Sequence, residues 1–368
     1  MRPLRYNLGM ITMRSPALIL NLLTSLTVAS IQLHAASGEI VVIDVPGAAG
    51  TTCTGINHSG QITGFYSDQA NKQYGFLRDV NGRFSFFSES GAESTTPYGI
   101  NDNGVVAGTV YDATGFHGFI REPSGQVTKF GSGGERNTFS EAINNSGQIA
   151  GQTGAFNVTT SFIGTPLGTL TLFSVPGSVC GTLESTGASG CTFATAINSF
   201  DQVAGNSYDA NSQPGPYGFV RNADGTIVVF SAPNANQQDG TSATGIDDQG
   251  LITGYFGNQV SSLIQGYTRD ANGNFAMFTV TDPNTQQPDA TFPAAISRNG
   301  LITGLYTDAV GSSHGFIRDQ SGNIATFDAP GAGTNAGLGT SPASINNARI
   351  VAGSFTDSSG VSHGFVRN

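Results

Sequence analysis

The sequence predicts an all-β fold, a seven-bladed β-propeller with four antiparallel strands per blade, closed by an N-terminal strand that completes the last blade. Three observations predict it. A short Gly-Ile-Asn motif recurs seven times at intervals of 43 to 54 residues. A second motif follows the first in nearly every interval. A segment missing from the last repeat is present near the start of the chain.

The first motif reads G-I-N-x-x-G-x-I-x-G. It occurs as GINHSGQITG at 55–64, GINDNGVVAG at 99–108, AINNSGQIAG at 142–151 and AINSFDQVAG at 196–205. It continues as GIDDQGLITG at 245–254, AISRNGLITG at 295–304 and SINNARIVAG at 344–353. The second motif is GFLRDVNGRFSFF at 75–87, and it returns at 118–130, 218–230, 266–278 and 315–327. A degenerate copy, SFIGTPLGTLTLF, fills 161–173.

Each repeat therefore carries four short runs. The first ends at the Ile-Asn pair, the second is I-x-G, the third is G-F-[LIV]-R, and the fourth ends in Phe. Runs three and four alternate apolar and polar residues, as half-buried strands do. Asn-Gly, Asp-Gly and Ser-Gly joints supply the positive φ of tight hairpins. Four strands in about 45 residues is the size of a propeller blade. A helical repeat is excluded by the glycine density and the absence of a 3.6-residue period.

The last repeat stops at Asn368 without a fourth run. Residues 40–47 read IVVIDVPG, and residues 324–331, the fourth run of the sixth repeat with its exit, read IATFDAPG. Ile40 to Asp44 are thus expected beside Gly364 to Arg367, covering an edge that would otherwise invite aggregation. The expected blades span approximately 51–88, 95–131, 138–174, 192–231, 241–279, 291–328, and 340–368 with 39–45.

Residues 1–36 differ from the rest. Arg2, Arg5 and Arg14 precede a mostly apolar stretch from Ala17 to Leu33, followed by small residues, the order of a secretory signal. Removing it leaves 12 basic residues against 25 acidic ones, a net charge of −13. So acidic a chain repels nucleic acid and anionic membrane surfaces. The expectation is a secreted, periplasmic or cell-surface monomer with no membrane span after cleavage. In that oxidising setting Cys180 and Cys191, in a Gly/Ser-rich loop, are the expected disulfide, and Cys53 is a small buried residue.

The repeated polar residues read as structure. The Asn after each Ile (Asn57, Asn101, Asn144, Asn198, Asn346) stands where strand one turns into strand two and can bond its own turn. The competing reading is a polar ring on one face. The repeated Arg (Arg78, Arg121, Arg221, Arg269, Arg318, Arg367) reads as a hydrogen bond or ion pair at the hairpin. His117, His314 and His363 stand on third strands of separate blades, too far apart to share a zinc ion. The D-x-N-G fragments lack the closing Glu of a calcium loop. No metal, cofactor or catalytic residue is assigned.

Variation between repeats points to a site. At the position two before each motif Ile the residues are Thr54, Tyr98, Glu141, Thr195, Thr244, Ala294 and Ala343. Glu141 is the one charged member. With Glu93, Glu135 and Tyr98 it forms the expected ligand region. A hydrolase or lyase would need a second acid beside Glu141; the absence of Trp weakens sugar stacking.

The G-I-N-x-x-G-x-I-x-G and H-G-F-[IV]-R pattern resembles the extracellular repeats of the HAF family, over nearly all of residues 39–368. Here HGF stands for HAF at His117, His314 and His363. The resemblance implies an exported bacterial repeat protein and carries no catalytic residues. The expected function is a non-catalytic binding or scaffold module for extracellular polysaccharide or protein; the alternative is a carbohydrate-active hydrolase or lyase at the propeller mouth.

Overall fold

A computed structural model of the chain describes residues 38–131, 137–155, 158–165, 170–178, 191–208 and 215–368. The expected secretory signal lies outside these residues, as do Glu135 and Cys180. Among the described residues there is no helix, and so none long and apolar enough to cross a membrane.

The strands come in consecutive antiparallel meanders. The first is Gly50–Ile56, Ile62–Ser67, Gln73–Arg78 and Phe84–Phe87; the second is Ser94–Ile100, Val106–Asp112, Gly115–Arg121 and Val127–Phe130. Next come Asn137–Ile143, Ile149–Ala155, Val158–Gly164 and Thr171–Phe173, then Thr192–Ile197, Val203–Ser207, Tyr217–Arg221 and Ile227–Phe230. Thr241–Ile246, Ile252–Gly257, Ile264–Arg269 and Phe275–Phe278 follow. After the short strand Val280–Thr281 the pattern resumes with Pro288–Ile296, Ile302–Thr307, Ser313–Arg318 and Ile324–Phe327. The chain ends in Gly339–Ile345, Val351–Thr356 and Ser362–Arg367, and Ile40–Ile43 adds to the outer side of Ser362–Arg367. In that pairing Val41 lies opposite Val366 and Val42 opposite Phe365. No sheet closes on itself. Neighbouring sheets meet through side chains, with single parallel bridges at Gln73–Ser94, Thr159–Cys191 and Ser313–Gly339.

Two glycine–aromatic pairs recur in most sheets; the exceptions are Ser161, which replaces the second glycine opposite Phe173, and Ile43, which replaces the second ring opposite Gly364. In the first unit Gly64 lies opposite Phe76, and Gly75 opposite Phe87. A Cβ on Gly75 would sit 2.4 Å from the Phe87 ring, so the glycine is room for the ring on the adjacent strand. Because Gly75 and Phe76 are consecutive, the two rings leave the sheet on opposite faces. The third-strand ring is fully buried in each unit: Phe76, Phe119, Phe162, Phe219, Tyr267, Phe316 and Phe365. Except at Phe76, it meets the fourth-strand Phe of the preceding unit edge to face, as in Phe87–Phe119, Phe278–Phe316 and Phe327–Phe365. Each such ring contributes roughly 1.5–3 kcal/mol of burial.

The repeated arginines complete this clamp. Arg121, Arg221, Arg269, Arg318 and Arg367 lie over Phe87, Phe173, Phe230, Phe278 and Phe327, each 4.7–5.2 Å from the ring centroid. Arg121, Arg221 and Arg269 also donate to the carbonyl of the next residue, at 3.1–3.3 Å. The expected hairpin contact is therefore a backbone hydrogen bond at these three, and the larger role is a cation–π contact across units, which a single-repeat reading cannot reveal.

Candidate functional site

The first strand of every unit contains a β-bulge at the same place. Register skips one residue between Cys53 and Gly55, Pro97 and Gly99, Ser140 and Ala142, and Ala194 and Ala196. It skips again between Ala243 and Gly245, Pro293 and Ala295, and Pro342 and Ser344. The unpaired residues are Thr54, Tyr98, Glu141, Thr195, Thr244, Ala294 and Ala343. A bulge re-aims its extra side chain. All seven line one cavity of about 250 Å³, together with the glycines, alanines and isoleucines that follow them and with Ser344. The glycine two after each second-strand Ile makes the bulge possible: a Cβ on Gly64, Gly151 or Gly254 would lie 1.9–2.1 Å from the carbonyl oxygen of Thr52, Phe139 or Ser242.

The bulge residues differ in what they offer. Thr54, Thr195 and Thr244 donate their hydroxyls to the carbonyls of Thr63, Ala204 and Thr253, at 3.2–3.4 Å. Ala294 and Ala343 add only methyls. Glu141 accepts one hydrogen bond, from Gln152 Nε2 at 2.8 Å. Burial raises its carboxyl pKa, and the Gln152 bond offsets part of that rise. Tyr98 is 39% exposed. Burial raises its phenol pKa first, and the Glu141 charge second.

Of the expected ligand residues, Tyr98 and Glu141 are brought together. Glu93 is not among the residues lining the cavity. It is exposed just ahead of the strand Ser94–Ile100, at the opposite end from Ile100. Glu135 and Cys180 lie outside the described residues; Cys191 is buried, and Cys53 is a buried free thiol whose pKa burial pushes up to about 12. Gln152 escaped the sequence reading, because a long amide on a second strand gives no sign of which bulge it faces.

Beyond the motif isoleucines the axis is closed by polar groups. Each motif Asn does two jobs. Asn57 Oδ1 accepts from the amide of Gln61 at 2.9 Å, while its Nδ2 donates to the carbonyl of Asn101 at 3.1 Å. Asn101 reaches Asn144, Asn144 reaches Asn198, Asn198 reaches Asp247, and Asn346 reaches Asn57, at 2.9–3.1 Å. The circuit is interrupted where Asp247 and Ser297 replace Asn and have no amide to give. The turn reading holds, and the same side chains also bond from unit to unit in an interrupted polar circuit.

Across this ring Arg298 pairs with Asp102. Asp102 also accepts from the amide of His58 at 2.8 Å and from Asn145 Nδ2 at 2.9 Å. Burial acts to raise the Asp102 pKa, but these donors and Arg298 hold it below the usual carboxylate range.

The three third-strand histidines sit apart. His314 lies between Asp328 (2.9 Å) and Asp308 (3.3 Å), and His363 between Asp44 (3.0 Å) and Asp357 (3.4 Å). His117 contacts Asp112 at 3.4 Å. Among the described residues no group of three or more His, Cys, Asp or Glu side chains is placed to hold a metal ion.

No protein-family model matches the chain, and no curated protein does. Solved structures do. Virginiamycin B lyase from Staphylococcus aureus aligns over 90% of this chain and 99% of its own, with 12% identity and a TM-score of 0.56. The β-propeller domain of the Trilobed protease from Pyrococcus furiosus, described as having an open velcro topology, aligns over 87% and 96%, with 13% identity and a TM-score of 0.57. Acylaminoacyl peptidase from Pyrococcus horikoshii aligns over 88% of this chain and 52% of its own, with 10% identity and a TM-score of 0.56. At such identities the likeness speaks for architecture alone, and the architecture is that of a β-propeller.

Proposed function

We propose that the chain is a seven-bladed, ring-closed propeller acting outside the cytoplasm as a non-catalytic binding module for a polysaccharide or protein, with its ligand site in the axial cavity at Glu141 and Tyr98. Exported repeats of the HAF type, a removed N-terminal signal and a Cys180–Cys191 disulfide belong to the same reading. Ring closure is supported by the pairing of Ile40–Ile43 with Ser362–Arg367 and by the bond from Asn346 to Asn57.

One observation carries the choice of site. A bulge in every first strand turns one residue to the axis, and only Tyr98 and Glu141 depart there from the small Thr and Ala of the other repeats. They are adjacent in the repeat order. A bulge that served the fold alone would be served by a small Thr or Ala everywhere.

The alternative, a hydrolase or lyase, has one observation in its favour: burial raises the Glu141 pKa, as a general acid requires. It also requires a partner carboxyl within about 5–10 Å. Among the described residues Glu141 is the only carboxyl lining the cavity.

A panel of soluble oligosaccharides and extracellular proteins, screened against the full chain and against Glu141→Gln and Tyr98→Ala, tests the site. The expected outcome is a ligand whose binding falls at least tenfold in both variants. Binding that survives both substitutions unchanged would move the site elsewhere.

A further inference from the structure

The cavity is rich in hydrogen-bond acceptors and poor in donors. The hydroxyl protons of Thr54, Thr195 and Thr244 are directed into the sheets, onto backbone carbonyls, so these residues can offer a ligand only oxygen lone pairs. Glu141 is a carboxyl with one neutral donor, Gln152. No Lys, Arg or His side chain among the described residues lines the cavity. The Arg298–Asp102 pair lies on the far side of the isoleucines, and Arg298 is engaged there. Tyr98 and Ser344, whose Oγ accepts from the Ile56 amide at 3.3 Å, supply the side-chain hydroxyl donors of the lining, and Tyr98 adds a π-face beside the carboxyl.

An anion finds the Glu141 charge here and only neutral hydroxyls, those of Tyr98 and Ser344, to donate to it. A neutral sugar hydroxyl could donate to Glu141 but would leave its charge uncompensated. A divalent metal asks for several oxygen ligands, and the lining has a single carboxyl. A group that brings both positive charge and several N–H donors meets every feature at once: an ion pair with Glu141, acceptors in the threonine oxygens, and a cation–π contact with Tyr98.

We infer that the axial cavity takes a primary ammonium group, carried by an aminated sugar or a polyamine, seated between the Glu141 carboxylate and the Tyr98 ring. This inference rests on the reading that the cavity is the ligand site and names the class of ligand. The acidic balance of the chain, net −10 with the N-terminal arginines included, draws such cations toward it.

The inference has a pH signature. Burial raises the pKa of unliganded Glu141, so protons compete with the amine. Tyr98 is the other titratable group facing it, and its phenol pKa is raised as well, so it stays neutral over the same range. Amine binding therefore strengthens as pH rises through the Glu141 pKa, and saturating amine lowers that pKa.

The test uses the full chain, carbon-13 labelled at its glutamate carboxyls, with Glu141→Gln identifying the Glu141 signal. The probes are a glucosamine tetramer, its fully N-acetylated counterpart and spermidine, measured by calorimetry and by the pH titration of that signal. The expected result is that at least one amine binds, that Glu141→Gln weakens it at least tenfold, and that the Glu141 titration moves to lower pH on saturation. Tyr98→Leu, which leaves the carboxyl in place, weakens the same amine severalfold. Preference for the glucosamine tetramer identifies a sugar source, and preference for spermidine a polyamine. If the acetylated tetramer binds as tightly as the amine, and Glu141→Gln weakens it, the ammonium inference is overturned while the site stands. If no probe moves the Glu141 signal but another ligand of the wider panel does, the inference again falls alone. If no ligand of any class moves it, the cavity reading fails and takes the inference with it.

Discussion

The sheet of Pro288–Ile296, Ile302–Thr307, Ser313–Arg318 and Ile324–Phe327 is one continuous stretch of chain, whereas the sheet ending in Ser362–Arg367 borrows its outer strand from residues 40–43. The backbone pairings match: Gly315 faces Phe327 in one, and Gly364 faces Ile43 in the other. What differs is the side chain that reaches the next unit. Phe327 lies against Phe365 and under Arg367, 4.9 Å from the guanidinium. Ile43 occupies the corresponding place against Phe76, and among the described residues Arg78 makes no cation–π contact like those of the other repeated arginines. The space left by the smaller side chain is shared with Cys53, whose Sγ would lie 2.8 Å from a Cβ on Gly364. The seam thus keeps the ladder and the apolar burial of an internal sheet but gives up covalent continuity and the aromatic clamp.

The largest effect should come from removing the borrowed strand. Deleting residues 40–45 exposes the edge of Ser362–Arg367 and forfeits the burial of Ile43 (3% exposed) and Val45 (5%). Two such side chains contribute roughly 1.5–3 kcal/mol each, and the lost ladder bonds roughly 0.5–1.5 kcal/mol each. The expected loss is about 5 kcal/mol or more, read as a fall in the denaturant midpoint and as proteolysis beginning in residues 339–367. A deletion variant that keeps the parental midpoint would show that the borrowed strand is ornamental.

An intermediate effect separates the two kinds of junction. Arg367→Ala should cost about 1–2 kcal/mol, since it removes a partly desolvated cation–π contact. Arg78→Ala should cost less, because Ile43 offers no ring. Ile43→Phe sharpens the contrast: in that background Arg78→Ala should become as costly as Arg367→Ala. A double-mutant cycle between positions 43 and 78 reads the coupling directly. Equal costs for the two arginines in the parental chain would mean that the clamp is not what the arginines are for.

Much of this was legible in the sequence, and the reasons are physical. The four runs per repeat, and the match of IVVIDVPG to IATFDAPG, are local patterns, and strand pairing preserves local pattern. The odd chemistry of Tyr98 and Glu141 was visible as a departure from Thr and Ala at one repeat position. That this position is the bulge was not visible, because a bulge is a property of two paired strands. The same limit hid three contacts that cross units. Nothing within one repeat tells that Asn57 Nδ2 reaches Asn101, that Arg121 lies on Phe87, or that Arg298 finds Asp102 across the axis. Glu93 was grouped with Glu141 by closeness in the repeat order; along a strand rising about 3.3 Å per residue, five positions from Tyr98 is a distance of roughly 16 Å.

The smallest effect is a pH dependence confined to the seam. His363 bridges Asp44, which follows the borrowed strand, and Asp357, in the turn after the strand Val351–Thr356. Burial acts to lower the His363 pKa, but the carboxylates of Asp44 and Asp357 outweigh it and the pKa is raised. A group raised in the folded state contributes stability that is whole below its unfolded value, about 6.5, and is lost as pH climbs through the folded value. His314 makes the same bridge inside a continuous sheet, to Asp328 and Asp308, and burial there too is outweighed. Both bridges weaken as pH rises above the free histidine value, but only the one at His363 ties down the borrowed strand. Hydrogen exchange, corrected for the intrinsic rate, should therefore show the amides of Val42 and Phe365 opening faster as pH rises from about 6 to 8, while those of Phe316 and Phe327 hold steady. His363→Gln should flatten the seam's response and His314→Gln should leave it unchanged. An equal response at both sheets would assign the effect to the histidines in general and remove any special weakness from the junction of the chain ends.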